Sequence, residues 1–136
     1  MILGPHDVKG DVRRSADVAI IGSGAGGGPI ARELAGEGYS VVVLEEGGYF
    51  TREDFNLNPA ESYMRMYRDA GQTITLGVPF VLLPMGKTVG GTTTVNSGTA
   101  LRVLRPVLKK WHLTHGLTDI TEEELNLIYG HLEEFL

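Results

Sequence analysis

The segment Gly22-Ser23-Gly24-Ala25-Gly26-Gly27 constrains the fold more than any other stretch of the chain. It matches G-x-G-x-x-G, a pattern that carries weight only when a strand precedes it and a helix follows. Both are predicted here. Asp17 to Ile21 is a short, mostly apolar run, and its continuous hydrophobicity suits a strand buried on both faces of a parallel sheet. Pro29 to Glu37 reads as a helix, with Ile30, Ala31, Leu34 and Ala35 on one face. Pro29 is tolerated because it falls in the first turn, and Gly36 and Gly38 close the helix. Val41-Val42-Val43-Leu44, within Ser40 to Glu45, is a second buried strand. The result is a βαβ unit in about 30 residues.

Each glycine of the turn has a physical task. Gly22 permits the tight bend, Gly24 lets a pyrophosphate approach the backbone, and Gly27 lets helix and strand pack closely. The helix N-terminus offers N–H groups and positive partial charge to phosphates. Glu45 ends the second strand, 45 − 27 = 18 residues after Gly27. A carboxylate there suits a ribose hydroxyl and repels a 2′-phosphate, which disfavours NADP. Gly22, Ser23, Gly24, Ala25, Gly26, Gly27 and Glu45 are therefore candidate dinucleotide contacts. Glu46 points the other way from the strand end and reads as solvent-facing. The competing reading is a structural glycine turn beside a chance carboxylate; the order strand, turn, helix, strand, acid argues against it.

Beyond this unit, residues 1–16 are polar and aperiodic, a lead-in to one domain over residues 17–136. Gly47 to Ala60 is a polar loop. Ala60 to Asp69 is predicted as a helix turning Tyr63, Met64 and Tyr67 inward. Thr73 to Leu76 and Val78 to Leu83 read as short strands around Gly77. Leu101 to Leu113 is mixed and basic. Thr121-x-x-Glu124 is a capping box, with Ile120 and Leu125 as its hydrophobic staple. Leu125, Ile128, Tyr129, Leu132 and Leu136 then follow helical spacing. Six acids and no Lys or Arg follow from Asp119 onward, read as a solvated helix face rather than as a site for a basic partner. The fold class is α/β: a Rossmann-like βαβ unit with added short strands and a C-terminal helix.

Composition removes several function classes. Net charge is −5, which argues against a nucleic-acid surface. Cysteine is absent, so thiolate catalysis, disulfides and Cys-type zinc sites are excluded. No apolar run is long enough to span a membrane, and the N-terminus lacks a signal-peptide core, so a cytoplasmic location is expected. His112 and His115 stand three apart without a third ligand at motif spacing, so they read as surface or packing residues and no metal site is expected. Trp111 reads as an anchor at a core edge.

The second glycine cluster, Val89-Gly90-Gly91-Thr92-Thr93-Thr94-Val95-Asn96-Ser97-Gly98-Thr99, separates flavin from nicotinamide. Taken with ADVAIIGSGAGGGPIARELA, VVVLEEGG and GKTVGGTTTVNSGTALR, it makes the chain resemble the FAD-binding part of the glucose–methanol–choline oxidoreductases. The resemblance runs from about Asp17 to Arg105, and the Thr-rich version is most similar to the branch holding long-chain alcohol oxidases and some sterol oxidases. It implies that the second cluster approaches the flavin end of FAD, with Gly91, Thr92, Asn96, Ser97 and Thr99 as contacts. Glycines allow close backbone approach, and hydroxyls and an amide offer short hydrogen bonds. The structural alternative is a Gly/Thr hairpin or cap with Asn96-Ser97-Gly98 as a turn. Some members of this family attach FAD through a histidine near this cluster. Lys87 and Thr88 stand there in this chain, so noncovalent FAD is expected.

The resemblance further implies a flavin-dependent oxidoreductase acting on CH–OH groups, with hydride passing to flavin N5. The family's catalytic histidine comes from a distant C-terminal region, so no catalytic residue is assigned in this chain. The chain resembles the N-terminal piece of such an enzyme, incomplete relative to the family fold. It is expected to be inactive alone; a fragment, a truncated reading frame and a split-chain subunit whose substrate portion is another chain all stay open. Two alternatives stay open: an NAD-binding Rossmann protein, and a non-catalytic dinucleotide-binding or assembly module.

Overall fold

The computed structural model describes residues 1–135, in two compact units, Met1–Gly98 and Thr99–Leu136.

The first unit is built on the expected crossover. Strands β1 (Val18–Ile21) and β2 (Val41–Leu44) pair in parallel, Val18 opposite Val41 and Ile21 opposite Leu44, and helix α1 (Gly27–Gly36) joins them. The glycine turn itself enters the helix, because the Gly28 N–H donates to the Gly24 carbonyl at 2.9 Å. Pro29 accordingly lies in the first turn, where its missing N–H costs nothing. The strand entrances are tied together: the Ser40 N–H donates to Asp17 Oδ2 at 2.8 Å, and the Asp17 N–H to Ser40 Oγ at 2.9 Å. The expectation of strands buried on both faces is corrected. Ile21 is 89% exposed and Leu44 58%, because a two-stranded sheet packed against α1 leaves its other side and both edges open.

Helix α2 (Pro59–Met66) is capped by Asn58, whose side chain accepts from the Glu61 N–H at 3.3 Å. It stops short of Asp69. Tyr67 is extended, and Asp69 and Ala70 turn left-handed at φ 48 and 50. The expected inward face shifts in consequence. Met66 is the buried residue, Tyr63 and Met64 are exposed, and Tyr67 is half-buried. Leaving helical geometry at Tyr67 breaks the 63/67 stripe, and the two rings stack at 4.5 Å instead.

The two short strands expected between Thr73 and Leu83 are also corrected. A single bridge, Ile74–Leu82, is flanked by Thr75 N–H to Val81 carbonyl at 2.9 Å and Leu83 N–H to Thr73 carbonyl at 2.8 Å. Gly77 at φ 147 and Pro79, which has no N–H to donate, interrupt the ladder between them.

In the second unit, helix α3 (Arg105–His115) begins within the mixed, basic stretch Leu101 to Leu113. Proline in its first turn opens it and Gly116 at φ 67 closes it. Helix α4 (Glu122–Phe135) starts at the expected capping box: Thr121 Oγ1 accepts from the Glu124 N–H at 3.2 Å, and Glu124 Oε2 from the Thr121 N–H at 3.3 Å. Leu125 and Tyr129 are half-buried, Ile128 and Leu132 are exposed, and Leu136 lies outside the described residues. Arg105 pairs with Glu122, and Arg102 pairs with Glu133 while lying over the Tyr129 ring, so part of the acidic face is answered within the unit. Among the described residues, no helix is long and apolar enough to cross a membrane.

Candidate functional site

The glycine turn folds as its residue types dictate. Gly22 holds φ +87, a conformation that favours glycine, and its N–H donates to the Leu44 carbonyl at 2.8 Å, fixing the turn to the end of β2. A Cβ on Gly27 would lie 2.0 Å from the Gly22 carbonyl oxygen and 3.0 Å from Ile20 Cγ2. Gly27 is therefore the close-packing glycine of helix and strand. A Cβ on Gly22 or Gly26 would meet nothing within 4 Å. The N-terminus of α1 has no side-chain cap and no acid in its first turn. By contrast, Asn58 caps α2 and Thr121 caps α4. The leading N–H groups of α1 thus present positive partial charge across a surface without side-chain bulk.

Glu45 sits at the centre of the turn. Its Oε2 accepts the Ser23 N–H at 2.8 Å and the Ser23 hydroxyl at 2.7 Å, and its Oε1 accepts the Gly47 N–H at 2.8 Å. Partial burial pushes the carboxyl up. The Ser23 and Gly47 hydrogen bonds and the Arg68 charge outweigh it and hold the carboxyl below its usual range. Glu45 is thus an anion with one acceptor site left on Oε1, since a carboxylate offers about four. Glu46 is exposed and pairs with Arg68, in line with its expected solvent-facing position.

The second cluster packs directly on the first. The Gly90 N–H donates to Ser23 Oγ at 2.9 Å. A Cβ on Gly91 would lie 2.9 Å from Gly24 Cα. The loop after β2 completes the junction: the Val89 N–H donates to the Gly48 carbonyl at 2.9 Å, and a Cβ on Gly47 would lie 2.1 Å from the Thr88 nitrogen. Thr88 is fully buried and donates to the Gly91 carbonyl at 2.9 Å. Gly47 and Thr88 were missed as site residues. The Gly47-Gly48 doublet is the signal for Gly47, and it has no meaning until the segment it bridges, at Thr88, is known.

The remaining candidates divide. Thr92 accepts the Gly86 N–H at 3.1 Å, and the Asn96 amide donates to the Thr93 carbonyl at 2.9 Å and accepts the Gly98 N–H. The Asn96-Ser97-Gly98 turn of the structural alternative is present, so the cluster's polar side chains first order their own backbone. As an acceptor, Thr92 keeps an O–H to donate. Ala25, Gly26, Thr92, Asn96 and Ser97 are exposed beside these turns, whereas Thr99 belongs to the second unit. His112 Nε2 lies 2.7 Å from the Ile120 carbonyl, so it ties α3 to the turn before α4. Among the described residues, no three His, Cys, Asp or Glu side chains are grouped to hold a metal.

A βαβ unit whose glycine turn meets a second glycine cluster defines a protein of the α/β class with a bare, electropositive helix end at its centre. The chain belongs to the GMC oxidoreductase family: the family model for the N-terminal part of these proteins matches residues 63–136. It is 52% identical over 103 residues to an uncharacterized GMC-type oxidoreductase of Mycobacterium tuberculosis, covering 75% of this chain and 16% of that protein. A second GMC-type oxidoreductase, from Sinorhizobium fredii, is 33% identical over 130 residues, 96% of this chain and 26% of its own. A long-chain-alcohol oxidase of Arabidopsis thaliana is 39% identical over 99 residues, 73% of this chain and 13% of its own. The chain therefore spans about a quarter or less of these relatives. No solved structure matches it significantly.

Proposed function

We propose that this chain is the FAD-binding portion of a flavin-dependent oxidoreductase acting on CH–OH groups, with residues 17–136 as the N-terminal part of a Rossmann-like domain and residues 1–16 as its lead-in. The observation that carries the reading is the α1 N-terminus: uncapped, free of acids, and flanked by Gly22 and Gly26, whose Cβ positions meet nothing within 4 Å. The site fits a dinucleotide. The α1 N–H groups would hold the pyrophosphate, the remaining Oε1 site of Glu45 a ribose hydroxyl, and the Gly91–Thr92 and Asn96–Ser97 surface the flavin end. Bound FAD would supply the hydride acceptor. The residues of this chain bind and orient. None is assigned as the base that takes the alcohol proton.

The relatives support the substrate class: some are named long-chain-alcohol oxidases. The test is an absorption spectrum of the purified chain after incubation with FAD and desalting. Retained flavin bands, displaced by ADP, are expected. A colourless protein that binds NADH overturns the reading.

A further inference from the structure

Ser23 was singled out as a direct ligand contact, but its hydroxyl is already committed at both ends. It donates to Glu45 Oε2 at 2.7 Å and accepts from the Gly90 N–H at 2.9 Å. A hydroxyl has one proton, and here that proton points at the carboxylate rather than outward. Its oxygen joins two segments 67 residues apart in sequence. The surroundings leave little slack. Gly91 backs onto Gly24, and Gly47 onto Lys87 and Thr88, all at distances that admit no side chain. Ser23 is therefore a polar pin of a backbone-to-backbone junction that the Val89–Gly48 hydrogen bond also ties and whose glycine contacts are steric. A carboxylate held at Oε2 by two donors and at Oε1 by one has little rotational freedom, so its last acceptor site faces a fixed direction before any ligand arrives.

We infer that Ser23 is a positioning residue: its hydroxyl fixes the Glu45 carboxylate for the ribose and fixes Gly90, and with it the second glycine cluster, in register with the first. This rests on the dinucleotide reading above and deepens it. Two consequences follow. Adenosine affinity depends on Ser23 only through Glu45. The two halves of the site are coupled, because one oxygen is shared between them.

The test is a double-mutant cycle on the full chain, read as ADP and FAD affinity by calorimetry and fluorescence quenching. Loss of a hydrogen bond to a charged acceptor sets the scale. Ser23→Ala should weaken ADP about 10-fold, and Ser23→Thr, which keeps the hydroxyl, should restore most of that loss. In a Glu45→Ala background, Ser23→Ala should change ADP affinity less than about two-fold, because the group it acts through is gone. FAD should still lose affinity there, through Gly90. If Ser23→Ala costs ADP the same factor with and without Glu45, Ser23 acts independently and the inference is overturned. If Ser23→Ala fails to fold, amide exchange on the wild-type chain decides. Slower Gly90 exchange on adding ADP, which occupies only the adenosine half, supports the coupling; an unresponsive Gly90 overturns it. A wild-type chain that binds neither ADP nor FAD removes the dinucleotide reading itself, a different result from additive mutants in a chain that binds both.

Discussion

Gly91 and Gly24 meet backbone to backbone: a Cβ on Gly91 would lie 2.9 Å from Gly24 Cα, and Gly91 holds φ 58. The two glycine clusters thus form one surface because neither carries a side chain at the contact. Gly91→Ala adds a steric clash and a left-handed alanine, and should destabilise the first unit by about 1–3 kcal/mol. Urea unfolding checks it. An unchanged midpoint would show that the clusters are not held together as described.

Neighbouring glycines should respond in opposite ways. Gly27→Ala places Cβ 2.0 Å from the Gly22 carbonyl oxygen, a rigid backbone atom, and should cost more than about 3 kcal/mol or prevent folding. Gly26→Ala meets nothing within 4 Å and should leave stability within about 0.5 kcal/mol, while lowering FAD affinity by intruding on the phosphate path. Thermal unfolding and FAD titration of both variants separate packing from binding.

How much of this was legible in the sequence depends on whether the cause was local. The βαβ order, the Glu45 position and the Thr121–Glu124 capping box follow from short-range spacing and stood in the structure at those residues. The α2 boundary did not, because the left-handed turn begins at Asp69 and Ala70, residue types that do not favour positive φ, and reaches Gly71 only at its end. The contact of Gly47 with Thr88, and Ser23 with Gly90, joins segments 41 (88 − 47) and 67 residues apart, which no periodicity records. Strand burial was misjudged for a different reason: Val18 to Ile21 states how much apolar surface a strand offers, and only neighbouring elements decide how much is covered.

Core substitution should follow observed burial rather than helical pattern. Met66, 1% exposed, should lose about 2–5 kcal/mol on change to Ala, whereas Met64, 75% exposed, should lose less than about 0.5 kcal/mol. Paired urea titrations give both values. Equal losses would restore the inward face expected from spacing.

Acid should destabilise the first unit through Asp17 and Glu45. The Ser40 hydroxyl and N–H hold the Asp17 carboxyl below its usual range; burial is the largest single effect on Glu45 and pushes it up, but Ser23, Gly47 and Arg68 together outweigh it and hold that carboxyl low as well. With folded values depressed, the unfolded chain takes up protons first as pH falls. Their stabilisation is full above the ordinary carboxylate range, about pH 4, and is lost as pH drops through the folded values. The urea midpoint should fall from pH 6 to pH 3, less steeply in Glu45→Gln. Identical slopes would remove Glu45 from the account.

FAD titration of the wild-type chain and Glu45→Ala, followed by flavin fluorescence, tests the central claim most directly. Losing a hydrogen bond to a charged acceptor costs about 1.5–3 kcal/mol, so Glu45→Ala should bind FAD about 10–150-fold more weakly, with ADP competing in the wild type. Equal affinity in the two proteins, or FAD binding that ADP leaves untouched, would contradict a dinucleotide site at the glycine turn.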